Sequence, residues 1–211
     1  MEDPLEGTIT AKTNDALTNL FKKVNEEGYF KPPLDDPGIQ KAVAEFITRH
    51  TAFKPYTVVS CWHNSQTENA LMWHAYTNVK AGIMIKSSYD NLKKSIEHSP
   101  QDIYISDVKY LDYSNQIMIP RNSSFLFIHK HKFYSDEREI RAMHKVANPN
   151  DGWNWDTQES HFGIFVPCNS EILIDEIVVA PFAEQSYFDI VRDVSMKYGL
   201  DKPVRYSGLR G

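Results

Sequence analysis

The sequence predicts an α+β fold: a single domain in which a mixed, mostly antiparallel sheet is flanked by helices. Three observations carry this reading. Several short stretches alternate as strands do, notably 137–143, where Glu137, Glu139 and Arg141 share one face and Ile140 and Ala142 the other. Apolar residues recur at helical spacing near both ends of the chain. Strands and helices then interleave without a strict βαβ rhythm, which excludes a doubly wound parallel sheet. The helical part is expected over 1–50 and the sheet-containing core over 56–211.

Residues 14–27 read as a helix that Asn14 caps and Gly28 stops, with Leu17, Leu20, Phe21 and Val24 at helical spacing. A proline-rich turn at 32–37 leads into a second helix from Asp36 and Pro37, carrying Ile39, Val43, Phe46 and Ile47. Residues 56–62 are rich in β-branched and aromatic types and read as a buried strand. Ser65 and Glu68 have capping-box spacing, so a helix is expected from Gln66 to about Thr77. A short strand at 81–86, a Ser88-capped helix with Leu92 and Ile96 inward, and an alternating strand at 103–110 follow. The apolar run 125–128 suits a short helix or a buried strand; the helix is preferred. Residues 148–160, with Trp153 and Trp155, form a long loop ahead of a strand at 162–166, which is expected to pair near the 137–143 strand. A buried strand at 177–180, an amphipathic helix at 184–198 stopped by Gly199, and a last strand at 204–207 close the chain.

A net charge of -5 gives no basic field to attract nucleic acid or an anionic membrane, so neither is an expected partner. No apolar run approaches the ~20 residues that span a bilayer, and the N-terminus has no signal-peptide pattern. Two cysteines, Cys61 and Cys168, suit a reducing cytosol, so a cytoplasmic protein is expected. His129 and His131 form a His-x-His pair, but Lys130 and Lys132 interleave it and no third ligand stands at zinc spacing. No metal is expected. Phosphate loops and nucleophile elbows are absent.

The stretch 129–143 concentrates the chemistry. Two carboxylates and a guanidinium spaced ~7 Å apart on one strand face either meet water or line a cleft. Trp73 and Tyr76, three apart on a helix, share a face that either packs in a core or walls a flat ligand.

Taken together, the motifs resemble a bacterial family of domains of unknown function. Its marks are Asp3-Pro4-Leu5-Glu6, Met72-Trp73-His74-Ala75-Tyr76, Gly82-Ile83-Met84-Ile85, Lys130 with Glu137-Arg138-Glu139-Ile140-Arg141, and Ser207-Gly208-Leu209. Family members carry a Tyr-rich strand and a helix–strand unit ahead of the Asp-Pro, whereas this chain opens near the Asp-Pro itself. The family layout is in turn similar to a distant ADP-ribosyltransferase architecture.

That similarity implies an NAD-using enzyme with Glu139 as catalytic carboxylate and Glu137 orienting the acceptor. NAD would be the substrate, Trp73 or Tyr76 the stacking wall, and Arg141 and Lys130 ligand contacts. The residue that grips NAD in that class lies on the opening strand, which in family members precedes the Asp-Pro. The second reading is therefore a non-enzymatic module binding a nucleotide or a protein through the same residues. Under either reading Glu139→Gln is expected to keep the fold while losing turnover or binding.

Overall fold

The computed structural model describes residues 6–122, 124–146 and 163–210. In chain order its first elements are α1 (Ala11–Glu26), α2 (Asp36–Thr51), β1 (Thr57–His63), α3 (Ala70–Tyr76), β2 (Ile83–Lys86) and α4 (Tyr89–Ser95). There follow β3 (Tyr104–Asp107), β4 (Lys109–Leu111), β5 (His129–His131), β6 (Glu139–Lys145), α5 (Ser170–Leu173), β7 (Glu176–Val179), α6 (Gln185–Lys197) and β8 (Val204–Tyr206). Tight 3-10 turns at Phe125–Ile128 and Lys132–Glu137 flank β5. The class is α+β with small, mostly antiparallel sheets. The chain forms two compact units, Met1–His63 with Ile103–Ile164 and Asn64–Asp102 with Phe165–Gly211.

In the first unit, α1 starts three residues before the expected Asn14. Thr10 caps it instead, its hydroxyl accepting the Thr13 N–H at 3.2 Å. Gly28 ends the helical stretch at φ +81°, a left-handed value that costs glycine nothing. Asp35 caps α2 through the Gly38 N–H. Leu17, Ile39 and Val43 then bury between the two helices, with Phe21, Leu34, Phe46 and Ile47 packed around them. Each such side chain contributes about 1.5–3 kcal/mol on leaving water.

The unit's main sheet runs β1-β6-β3, antiparallel throughout, with Cys61 opposite Arg141 and His63 opposite Glu139. A parallel pair joins β4 to β5, with Tyr110 opposite Lys130. Three expectations change here. The 56–62 stretch is a strand but an edge one, and Val59, Ser60 and Cys61 are exposed rather than buried. The strand expected at 162–166 is irregular over 163–167, with Phe165 fully exposed. It cannot pair with β6, because β1 and β3 already occupy both edges of that strand.

The third change concerns β6 itself. It begins at Glu139, and Glu137 ends the preceding 3-10 turn. Arg138 lies between them at φ +43°, a left-handed conformation that breaks the strand alternation. The faces are reversed as well: Glu139, Arg141 and Met143 are buried, while Ile140 and Ala142 are half-buried.

The second unit has a sheet in the order β2-β7-β8, antiparallel then parallel. β7 is central, and Val178 and Val179 pack with Trp73, Ala180 and Ala183 against Tyr187, Phe188 and Tyr206. Close approach explains Gly82, since a Cβ there would sit 2.6 Å from Thr77 Cβ. The helix expected over 66–77 starts only at Ala70, where Asn69 accepts the Leu71 N–H. Ser65 bonds locally to Thr67, so Glu68 does not complete a capping box. Trp153 and Trp155 lie outside the described residues.

Candidate functional site: a buried network of five charges

Lys130 sits mid-strand on β5 and reaches two carboxylates. Its Nζ donates to Glu139 Oε1 at 2.7 Å and to Glu137 Oε2 in a very close contact. Alternation along β6 brings Arg141 beside Glu139, and Arg141 Nε donates to Glu139 Oε2 at 2.7 Å. The far end of the guanidinium, Nη1, donates to Glu6 Oε1 and to the Phe127 carbonyl, the latter at 2.7 Å. Three carboxylates and two cations thus form one chain: Glu6, Arg141, Glu139, Lys130, Glu137.

Backbone contacts fix the middle of this chain. The Glu139 N–H donates to the Tyr110 hydroxyl at 2.8 Å, and the Val108 N–H to the Glu139 carbonyl at 2.9 Å. His63 Nδ1 donates to the Glu137 carbonyl at 2.6 Å, and its buried Nε2 has no partner among the described residues. The Lys130 ammonium also lies 4.9 Å from the centre of the Tyr134 ring.

For Lys130, Glu139 and Arg141 burial opposes the charge, and pairing outweighs it. Burial alone would raise the Glu139 pKa. The hydrogen bonds to it, that from Arg141 foremost, hold it far below the usual carboxylate range. Lys130 and Arg141 are likewise pushed up from their ordinary values by their carboxylates, against the downward pull of burial. Lys130, Glu139 and Arg141 are therefore charged at neutral pH. Burial, with the Glu139 charge next, pushes the neighbouring Cys61 thiol up to about 12. Cys61 is thus an unionised thiol and a poor nucleophile.

The second unit holds a smaller hub. The Glu68 carboxylate accepts Arg205 Nη1 at 2.9 Å, the Gly208 N–H at 3.0 Å, Trp73 Nε1 at 3.3 Å and the Ser207 hydroxyl. Burial opposes its charge, but these bonds lower its pKa from 4.5 to about 2. Arg205 also pairs with Glu176 at 2.9 Å.

Of the residues expected to act together, Glu137, Glu139, Arg141 and Lys130 do meet, in the first unit. Trp73 and Tyr76 belong to the second, and they part company: Trp73 is 4% exposed and Tyr76 54%. For Trp73 the core packing is what the helix face was built for. Sequence reasoning missed Tyr110 and His63, whose bonds are non-local, and it read Glu68 as a cap. Glu6 and Ser207 were visible only as parts of the Asp-Pro-x-Glu and Ser-x-Leu motifs.

Among the described residues no group of three or more His, Cys, Asp or Glu side chains could hold a metal ion. Around the His-x-His pair, His129 Nδ1 bonds to the Phe125 carbonyl and His131 Nδ1 accepts the Phe133 N–H. No described helix is long and apolar enough to cross a membrane. No family model, curated protein or solved structure matches this chain.

Proposed function

We propose that the chain is a non-enzymatic module that binds a nucleotide-like ligand by stacking on the turn that the charge network holds in place. The observation that carries this reading is the state of Glu139. Both its oxygens are engaged, one by Lys130 and one by Arg141, and the side chain is 6% exposed. An oxocarbenium-like transition state needs a carboxylate aimed at the sugar, and one neutralised by two internal cations offers it little.

The same turn carries a surface suited to a flat ring. Phe133 is 81% exposed, and its ring centre lies 4.3 Å from that of His131, which in turn meets Tyr113 edge-on at 5.1 Å. Lys132 Nζ stands 6.0 Å from the centre of the Phe133 ring. Lys132 is itself held by Asp112 at 2.8 Å, so the exposed ring is what the turn offers a nucleobase, and such stacking contributes about 1–3 kcal/mol per base. An ADP-ribosyltransferase would instead use Glu139 on NAD.

A thermal-shift screen over nucleotides, NAD included, with Phe133→Ala as control separates the readings. Under the binding reading nucleotides raise the melting temperature, Phe133→Ala abolishes the rise without lowering the baseline, and NAD is not hydrolysed. NAD turnover that Glu139→Gln removes would establish the enzyme instead.

A further inference from the structure

We propose that the Arg141 guanidinium is an anion-binding site that Glu6 occupies as an internal stand-in, and that a carboxylate or phosphate of the ligand takes its place. Three independent features set Glu6 apart from the rest of the network.

The first is exposure. Side chains of Lys130, Glu137, Glu139 and Arg141 are 4%, 11%, 6% and 2% exposed, whereas that of Glu6 is 28% exposed. It is the member that water and a solute can reach.

Charge is the second. Lys130 and Arg141 balance Glu137 and Glu139, so Glu6 is the surplus anion. Removing it leaves the remaining four neutral overall, so its departure strands no net charge in the network.

Attachment is the third. The other four lie within twelve residues of one another on β5, the 3-10 turn and β6, held by strand pairing. Glu6 comes from 135 positions away, on irregular chain ahead of α1 that turns at Gly7 with φ +69°. A guanidinium presents planar N–H donors matched to carboxylate and phosphate oxygens. Nε is committed to Glu139, and Nη1 is shared between Glu6 and the Phe127 carbonyl.

This inference rests on the binding reading above, and one titration set tests both. Adenosine, AMP, inorganic phosphate and acetate are titrated by calorimetry into wild-type protein and Glu6→Ala. Under the inference Glu6→Ala binds AMP at least about tenfold more tightly than wild type. Adenosine binds the two proteins equally. Phosphate or acetate alone also binds the variant more tightly, and the stronger of the two identifies the preferred anion. AMP binding that is equal in both proteins overturns the Arg141 site while leaving the binding reading intact. Failure of adenosine and AMP on both proteins, with phosphate and acetate also silent, overturns both. Hydrogen exchange in wild type gives a check that needs no variant. Bound anion displaces Glu6 and speeds exchange at Thr8, Ile9 and Thr10; unchanged exchange at saturating anion overturns the inference.

Discussion

Ser207 donates its hydroxyl to the carboxylate of Glu68, 139 positions earlier in the chain. With Arg205, Gly208 and Trp73 on the same carboxylate, this joins the strand β8 tail to the start of α3. Burial raises the Glu68 pKa, but these bonds, led by that of Ser207, hold it at about 2. A depressed carboxylate stabilises the fold above its unfolded value, and that contribution is lost as pH falls through the folded one. Glu68→Gln is therefore expected to be less stable than wild type at pH 7, by about 1–2 kcal/mol once solvent screening of the carboxylate is allowed for. The gap closes as pH falls from 4.5 through about 2. Urea titrations at pH 7, 4 and 2 measure it, and a pH-independent gap would show that the charge of Glu68 is not what Ser207 and Arg205 hold.

Cys61 and Cys168 are both exposed residues, yet they are expected to react differently. Burial of its thiol, with the adjacent Glu139 charge, pushes Cys61 up to about 12. At pH 8 only about one part in ten thousand of it is thiolate, the reactive form. Iodoacetamide at that pH should label Cys168 and leave Cys61 largely unmodified, as peptide mass spectrometry would report. Equal labelling of the two would mean that burial and the Glu139 charge do not suppress the Cys61 thiolate.

Trp73 and Tyr76 separate by stability. Trp73→Ala empties a site in the core of the second unit, in the cluster with Val178, Val179 and Ala183, and should cost about 3–5 kcal/mol. Tyr76→Ala removes a side chain that is 54% exposed and should cost under about 1 kcal/mol. Chemical denaturation of both variants decides the matter. A mild Trp73→Ala would return that ring to the role of a ligand wall.

The uneven legibility of the chain has physical causes. Helices α1, α2 and α6 and the central strand β7 were readable because local periodicity and the stops Gly28 and Gly199 agree with tertiary burial. The 163–167 segment failed because strand propensity says nothing about whether a partner edge is free, and β6 has none. At β6 the charged residues stand out in the sequence, but their face reads as the wet or ligand-facing one. Period-2 alternation marks two faces without saying which is inside. Burying the charged one required Lys130 on another strand and Glu6 from the far end of the chain, and neither pairing follows from spacing.

That burial reverses the effect expected of Glu139→Gln. On a cleft edge the substitution would spare the fold. Here Glu139 stands between two cations, bonded to Lys130 and Arg141 at 2.7 Å each. Taking one partner out of a buried ion pair leaves the other charge desolvated and unmatched, at a cost of about 3–5 kcal/mol. Melting temperature should fall by about 10 °C at pH 7 for a chain of this size. Glu137→Gln should cost less, because Lys130 keeps Glu139. The sign with pH is also defined. Glu139 is depressed in the folded state, so its contribution is complete above the ordinary carboxylate range and shrinks in acid, where the difference between wild type and Glu139→Gln narrows. Calorimetric melting of the three proteins at pH 7 and at pH 3 tests the ranking. Should Glu139→Gln melt within a degree or two of wild type at pH 7, the carboxylate faces solvent rather than Lys130 and Arg141, and the network is not what holds β5 to β6.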